Sequence, residues 1–196
     1  MQGEAFQRLR YMGLVSAISG WLVIIAAITR NPWFNFWVHA FSDLGGPMAS
    51  DPWLFSYGMV LTGVFIVLYA FYLIHISYNK PTTIGAGFMI ITGIFLMLIG
   101  FFPSGTKHHY FVSVWFFTQA DLAILMWGIG LYRAKLGKLF LFLSLVGPVV
   151  AFIIPWPSTA AVEAYGLLIM NIWVLAMTRI RSGDNSEALY PAKSTD

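Results

Sequence analysis

The residues able to do chemistry gather in two short segments. The first, Arg30 to Pro52, reads RNPWFNFWVHAFSDLGGPMASDP, and the second, Phe101 to Phe111, reads FFPSGTKHHYF. Together they carry His39, Ser42, Asp43, Asp51, Lys107, His108 and His109. His39 and Asp43 are four residues apart, a spacing that puts two side chains on one helical face. Asn31-Pro32 has the form of a helix start, with Asn as cap and Pro at the first helical position. The sequence therefore predicts a short interfacial helix over 32–41, with Trp33, Phe36 and Trp37 toward the membrane. Gly45-Gly46-Pro47 would end it, and Asp51 would cap the helix that follows. In the second segment Pro103 to Gly105 reads as a turn and Thr106 as a cap, with both histidines at the start of the next helix. Glu163, early in the last apolar stretch, completes the set.

Three chemistries are open to this cluster. Histidine and carboxylate are the usual ligands of zinc or iron. Adjacent histidines on a helix point about 100° apart, however, because the period is about 3.6 residues. No HExxH or HxxxH spacing occurs, so neither a metal nor a cofactor is implied. A histidine paired with Asp43 could serve acid–base catalysis on a lipid head group. Ser42 could in principle act as a nucleophile, but it lacks a GxSxG setting. The third role is structural: Asp43 caps a turn or pairs with Lys107, and the histidines sit at the interface or donate to loop carbonyls.

One acid lies elsewhere. Asp121 falls near the middle of the fourth apolar stretch, where a carboxyl is costly and normally faces the bundle interior. Asn171 lies at similar depth in the sixth stretch, with Gln119 close by, so a hydrogen bond between Asp121 and Asn171 is expected. The functional alternative is a proton carrier or a contact to a lipid head group. No second intramembrane acid completes a relay. His75 lies at the opposite end from the other histidines, which argues against bis-histidine haem ligation.

The elements that must position these groups are membrane helices. Apolar residues make up 59% of the 196-residue chain and charged residues 10%, against about 25% charge in soluble domains. So few polar groups cannot cover a water-soluble surface. The absence of Cys removes disulfides and thiolate chemistry. A spanning helix needs about 20 mostly apolar residues. Six stretches qualify, at about 12–29, 53–77, 84–102, 111–132, 139–154 and 162–180. The fifth is short and holds Pro148, which should kink it and leaves open whether it spans fully. Nine cationic residues flank one face, from Arg8 and Arg10 to Arg181 and Lys193, and only Arg30 and Lys107 flank the other. This bias places both termini in the cytoplasm. Arg8 and Arg10 before an apolar run resemble a secretory signal, but no convincing small-x-small site precedes Arg30, so the first span is expected to be retained. Residues 1–181 read as one membrane domain, and 182–196 as a flexible cytoplasmic tail. Gly13, Ala17 and Gly20 form one small-residue stripe, and Gly58, Gly63, Gly93 and Gly100 offer others, which suits close helix packing. No inverted repeat of broken helices appears, which weighs against a secondary transporter.

His39-Ala40-Phe41-Ser42-Asp43-Leu44-Gly45, followed by Trp53-Leu54-Phe55, resembles the (I/F)SDLG segment before the second helix of the prokaryotic domain-of-unknown-function family 998. Gly100-Phe101-Phe102-Pro103, followed by His108 or His109, resembles that family's GIFP…H segment. A looser likeness joins the first motif to the damage-regulated autophagy modulator group. The resemblance implies a six-helix membrane protein and places Asp43 and one of the paired histidines in a shared pattern. Ser104 stands here where many relatives have an acid.

The expected protein is an all-α, six-helix bundle in the cell membrane. Its extracytoplasmic polar cap would bind a lipid head group, small ligand or partner subunit, using residues among His39, Ser42, Asp43, His108, His109, Asp121, Glu163 and Asn171. The alternative is an outer-leaflet hydrolase or transferase acting on lipid, with or without a metal. Membrane lipids are the expected partners, and no basic patch suits nucleic acid. Orientation is directly testable in this cysteine-free chain. Lys107→Cys should react with an impermeant maleimide on intact cells, and Lys135→Cys only after permeabilisation; the reverse pattern would invert the topology.

Overall fold

The computed structural model describes residues 2–180. The tail expected at 182–196 lies outside the described residues. Apolar runs in a medium without water must satisfy their own backbone, and helices do so within one segment. The chain accordingly forms α1 (Gln2–Leu9), α2 (Met12–Arg30), α3 (Pro52–Ile76), α4 (Lys80–Phe101), α5 (His109–Gly130), α6 (Lys135–Ile153) and α7 (Thr159–Met177). Six helices, α2 to α7, are long and apolar enough to cross a membrane. No strand occurs among the described residues.

Several boundaries differ from the sequence reading. α4 begins at Lys80 rather than near residue 84, because Asn79 caps it by accepting from the Thr82 N–H at 3.0 Å. α6 begins at Lys135 rather than near 139, so the fifth span has 19 residues and runs on through Pro148. A proline removes one backbone hydrogen bond, which a long helix tolerates. Helix α1 was not anticipated. It packs on the end of α3, where Phe6 stacks on His75 with ring centroids 5.0 Å apart.

An even number of crossings brings Arg10 and the end of α7 together. The Arg10 guanidinium donates to the Thr178 carbonyl, and the Tyr72 hydroxyl donates to the Ile180 carbonyl at 3.2 Å. A cation at a helix C-terminus meets both the free carbonyls and the negative end of the dipole. At this end Tyr78 and Asn79 also reach the Gly130 carbonyl, closing α3 and α4 onto α5.

Packing in the middle depends on small residues, as the glycine pattern anticipates. Gly63 of α3 and Gly93 of α4 face each other so closely that a methyl on Gly63 would lie 2.6 Å from the Gly93 carbonyl oxygen. The core of the bundle includes Tyr72, Leu73, Trp127, Phe140 and Trp173, none measurably exposed. Gly63→Val should therefore cost about 1–3 kcal/mol, as overpacking does, and lower the melting temperature. Gly87 has nothing within 4 Å of an added methyl, so Gly87→Ala should not lower it. Thermal unfolding of the two purified variants checks both.

Candidate functional site

At the end of the bundle away from Arg10, hydrogen bonds join the connection after α2 to the connection after α4 and to the start of α7. Residues 32–40 do not form the expected interfacial helix; they form a series of turns. Asn31 is the reason. It closes α2 rather than opening a new helix, and its side chain is buried. Its Nδ2 donates to the Ala27 carbonyl at 2.8 Å. Its Oδ1 accepts from Trp33 Nε1 at 3.0 Å and from the Ser50 N–H at 2.7 Å. Asn31 thus staples both ends of the loop to α2.

A 3₁₀ turn, Phe41–Gly45, follows and carries FSDLG. Phe41 and Leu44 anchor it in the core. Phe41 stacks on Phe34 and meets Trp21 of α2 edge-on. The turn exposes backbone N–H groups at its start, and two carboxylates take them. Asp43 Oδ2 accepts from the Ala40 N–H at 2.9 Å. Glu163 Oε2, from α7, accepts from the Phe41 N–H at 2.7 Å. The second Asp43 oxygen, Oδ1, accepts from Ser104 Oγ at 2.8 Å. Of the two structural roles open to Asp43 it takes the turn cap and not the pairing with Lys107, and Ser104 joins the two segments that the sequence singled out.

α7 clamps the same loop twice more. The Ala160 N–H donates to the His39 carbonyl at 2.9 Å. Ser158 Oγ donates to the Phe36 carbonyl at 2.6 Å while accepting from the Ala161 N–H at 3.1 Å. Asn31 caps the end of α2 rather than the start of a new helix, and Ser158 was missed. Ser158 carried a readable signal, a hydroxyl just before an apolar helical run.

The histidines take separate places. His39 Nδ1 accepts from the Asn35 N–H at 2.8 Å, and the ring meets Trp33 edge-on. It makes no hydrogen bond to Asp43, because the turn at Ala40 breaks the helical register that the four-residue spacing assumed. His109 Nδ1 lies 2.8 Å from the Phe102 carbonyl and Nε2 lies 3.3 Å from Ser113 Oγ. A carbonyl only accepts, so the Nδ1 proton points to it. His108 is exposed and touches Phe102 edge-on. Thr106 bonds the Pro103 carbonyl instead of capping α5, and His108 occupies the cap position. Gly105, with φ +89°, makes the expected turn possible, since that conformation favours a residue without a Cβ. Asp51 precedes α3 but does not cap it. Its Oδ2 accepts from Arg30 Nε at 2.8 Å, and this hydrogen bond holds the carboxyl below its ordinary value. Such a shift adds stability above the ordinary pKa and loses it as pH falls through the lowered one. Water at this exposed rim screens the effect.

Chemically, Asp43 and Glu163 are committed to backbone N–H groups and one hydroxyl. Ser42 is buried and forms no hydrogen bond to a base. Among the described residues no three histidine, aspartate or glutamate side chains converge to hold a metal. The family described as "Protein of unknown function (DUF998)" matches residues 14–180. The chain belongs to that family. No curated protein and no solved structure matches it. Within this DUF998 member the SDLG motif is a joint: Asp43 links its own turn to the segment after α4.

Asp121 and Asn171 do not pair. Asp121 is half-buried on the α5 stripe shared by Phe117 and Gly128, which touch Gly166 of α7 and Leu141 of α6. Asn171 lines a cavity on another side of α7, facing α2 and α3. Nearby, the buried Gln119 Oε1 has no partner.

If Asp43 is the joint, Asp43→Ala should destabilise the protein by about 1–3 kcal/mol, the cost of leaving buried donors unpaired. Ser104→Ala should then cost less in the Asp43→Ala background than alone, with a coupling of roughly 0.5–3 kcal/mol. A double-mutant cycle on thermal stability measures both.

Proposed function

We propose that this integral membrane protein is non-catalytic and uses its cap to hold the phosphate of a membrane lipid head group. One contrast carries the reading. Asp43 and Glu163 are committed to internal donors, whereas Lys107 and His108, on the segment that Ser104 ties to Asp43, stand exposed. The inner carboxyls build the cap, and the Lys107 ammonium and His108 imidazole are left to meet a ligand.

The neighbours of Lys107 and His108 suit that ligand. Phe101, Tyr110 and Phe111 flank them and are 65%, 80% and 56% exposed. Aromatic rings at a helix end settle at head-group level, which brings an ammonium and an imidazole to the depth of lipid phosphates. The other cation at this end, Arg30, is paired with Asp51. The charge bias of the chain supports placing the cap outside the cytoplasm, so the ligand belongs to the outer leaflet.

The test is lipid retention by the purified full chain. In detergent micelles supplemented with equal phosphatidylglycerol and phosphatidylcholine, native mass spectrometry should find the anionic lipid preferentially bound. The Lys107→Gln/His108→Gln variant should lose that preference and keep its melting temperature. Equal retention of both lipids by the unaltered protein would overturn the reading.

A further inference from the structure

Asp121 lies near the middle of the 22-residue span α5. Among the described residues it forms no hydrogen bond and no ion pair. It is half-buried, and neither of its carboxyl oxygens is sealed inside the bundle. It sits at the edge of the face that Phe117 and Gly128 pack against α7 and α6. The polar end of the side chain therefore reaches the outer surface at mid-span, where that surface meets hydrocarbon. Thr118, one turn earlier, is exposed on the same flank. Its hydroxyl donates to the Val114 carbonyl at 2.8 Å, which leaves the oxygen able to accept.

These two residues belong to a stripe. Phe111, Val114, Thr118, Asp121 and Leu125 follow one another at alternating steps of three and four residues, and all are exposed or half-exposed. Such steps mark the seam along which two helices cross at about 20°. Apolar side chains give a helix little reason to leave the acyl chains, so a polar group on the outer face is what favours association. An isolated carboxylate is too costly in hydrocarbon to stay ionised. As a neutral acid it carries one O–H donor and one carbonyl acceptor, which makes it its own complement. The outer face of α6 offers a contrast: Phe142, Leu145, Val146 and Val149 are exposed there and wholly apolar.

We infer that this seam of α5 is the contact between two copies of the chain, with the Asp121 carboxyl of one copy hydrogen-bonded to the Asp121 carboxyl of the other. Symmetry favours a second copy over another helix. A two-fold interface presents the same patch from both sides. Both copies cross the membrane in one orientation, so the axis runs along the bilayer normal and the two carboxyls stand at equal depth. A cation is not what the second copy brings, because every Lys and Arg of the described spans lies near a span end. What it brings at mid-span is the acid.

The experiment uses the full chain, which has no cysteine of its own. Single-cysteine variants in phosphatidylcholine vesicles are oxidised with copper phenanthroline. Disulfide-linked dimers are expected from Val114→Cys, on the seam, and not from Leu145→Cys, on the bare face of α6. Sedimentation equilibrium in detergent micelles then measures the dimer dissociation constant. Asp121→Leu should weaken the dimer roughly ten-fold, the loss of the hydrogen bonds between the two side chains in lipid. Asp121→Asn, whose amide also carries a donor and an acceptor, should retain it. At dilutions where the unaltered protein is monomeric, both variants should keep its melting temperature, since Asp121 has no partner within its own chain. Equal cross-linking at the two cysteine positions, a dimer that Asp121→Leu leaves unchanged, or an Asn variant as weak as the Leu variant would overturn the inference. So would a monomer at every concentration, which would leave a cation-bearing helix of another protein as the partner of Asp121.

Discussion

Every structural choice in this protein follows from one constraint: in hydrocarbon, a backbone N–H or carbonyl must find its partner within the protein. Along the spans the helices satisfy it locally. Where helices end the constraint becomes acute, and the polar residues collect there. Arg10 supplies the carbonyls at the end of α7. Asn31 supplies both a carbonyl of α2 and an N–H of the following loop. Asp43 and Glu163 supply the N–H groups at the start of the 3₁₀ turn. Three of the scarce charged residues, Arg10, Asp43 and Glu163, thus serve helix and turn ends.

At the cap the groups left over lie on the connection after α4: the Lys107 ammonium and the His108 imidazole, both exposed. Trp21 of α2 packs edge-on against Phe41 of the 3₁₀ turn, so the turn is anchored on the first span.

Particular residues mark how far a sequence can be read here. Pro103-Ser104-Gly105 was legible as a turn, and Gly105 adopts the left-handed conformation such a turn demands. Gly63 and Gly93 were legible as packing residues, since little else brings two backbones into contact. Asn31-Pro32 misled, because an Asn before Pro can open a helix or close the preceding one, and only the position of Ser50 decided between them. His39 and Asp43 misled for a related reason. A four-residue spacing implies proximity only where helical register continues, and it breaks at Ala40. Asp121 and Asn171 share a depth but not a face, and depth was all that their places in the chain could report.

By itself, then, the order of residues determined the number of spans, their approximate limits and the end at which the SDLG turn and the paired histidines meet. These depend on apolar run length and on counting crossings, which are properties of the chain taken in order. Tertiary structure alone decided that Ser104, not Lys107 or a histidine, completes Asp43, that Glu163 reaches Phe41, and that Tyr69, Asn171 and Trp173 line one cavity. Those facts depend on how helices rotate against one another. In lipid that rotation is set by the shape of their small and large residues in contact, which no single segment contains.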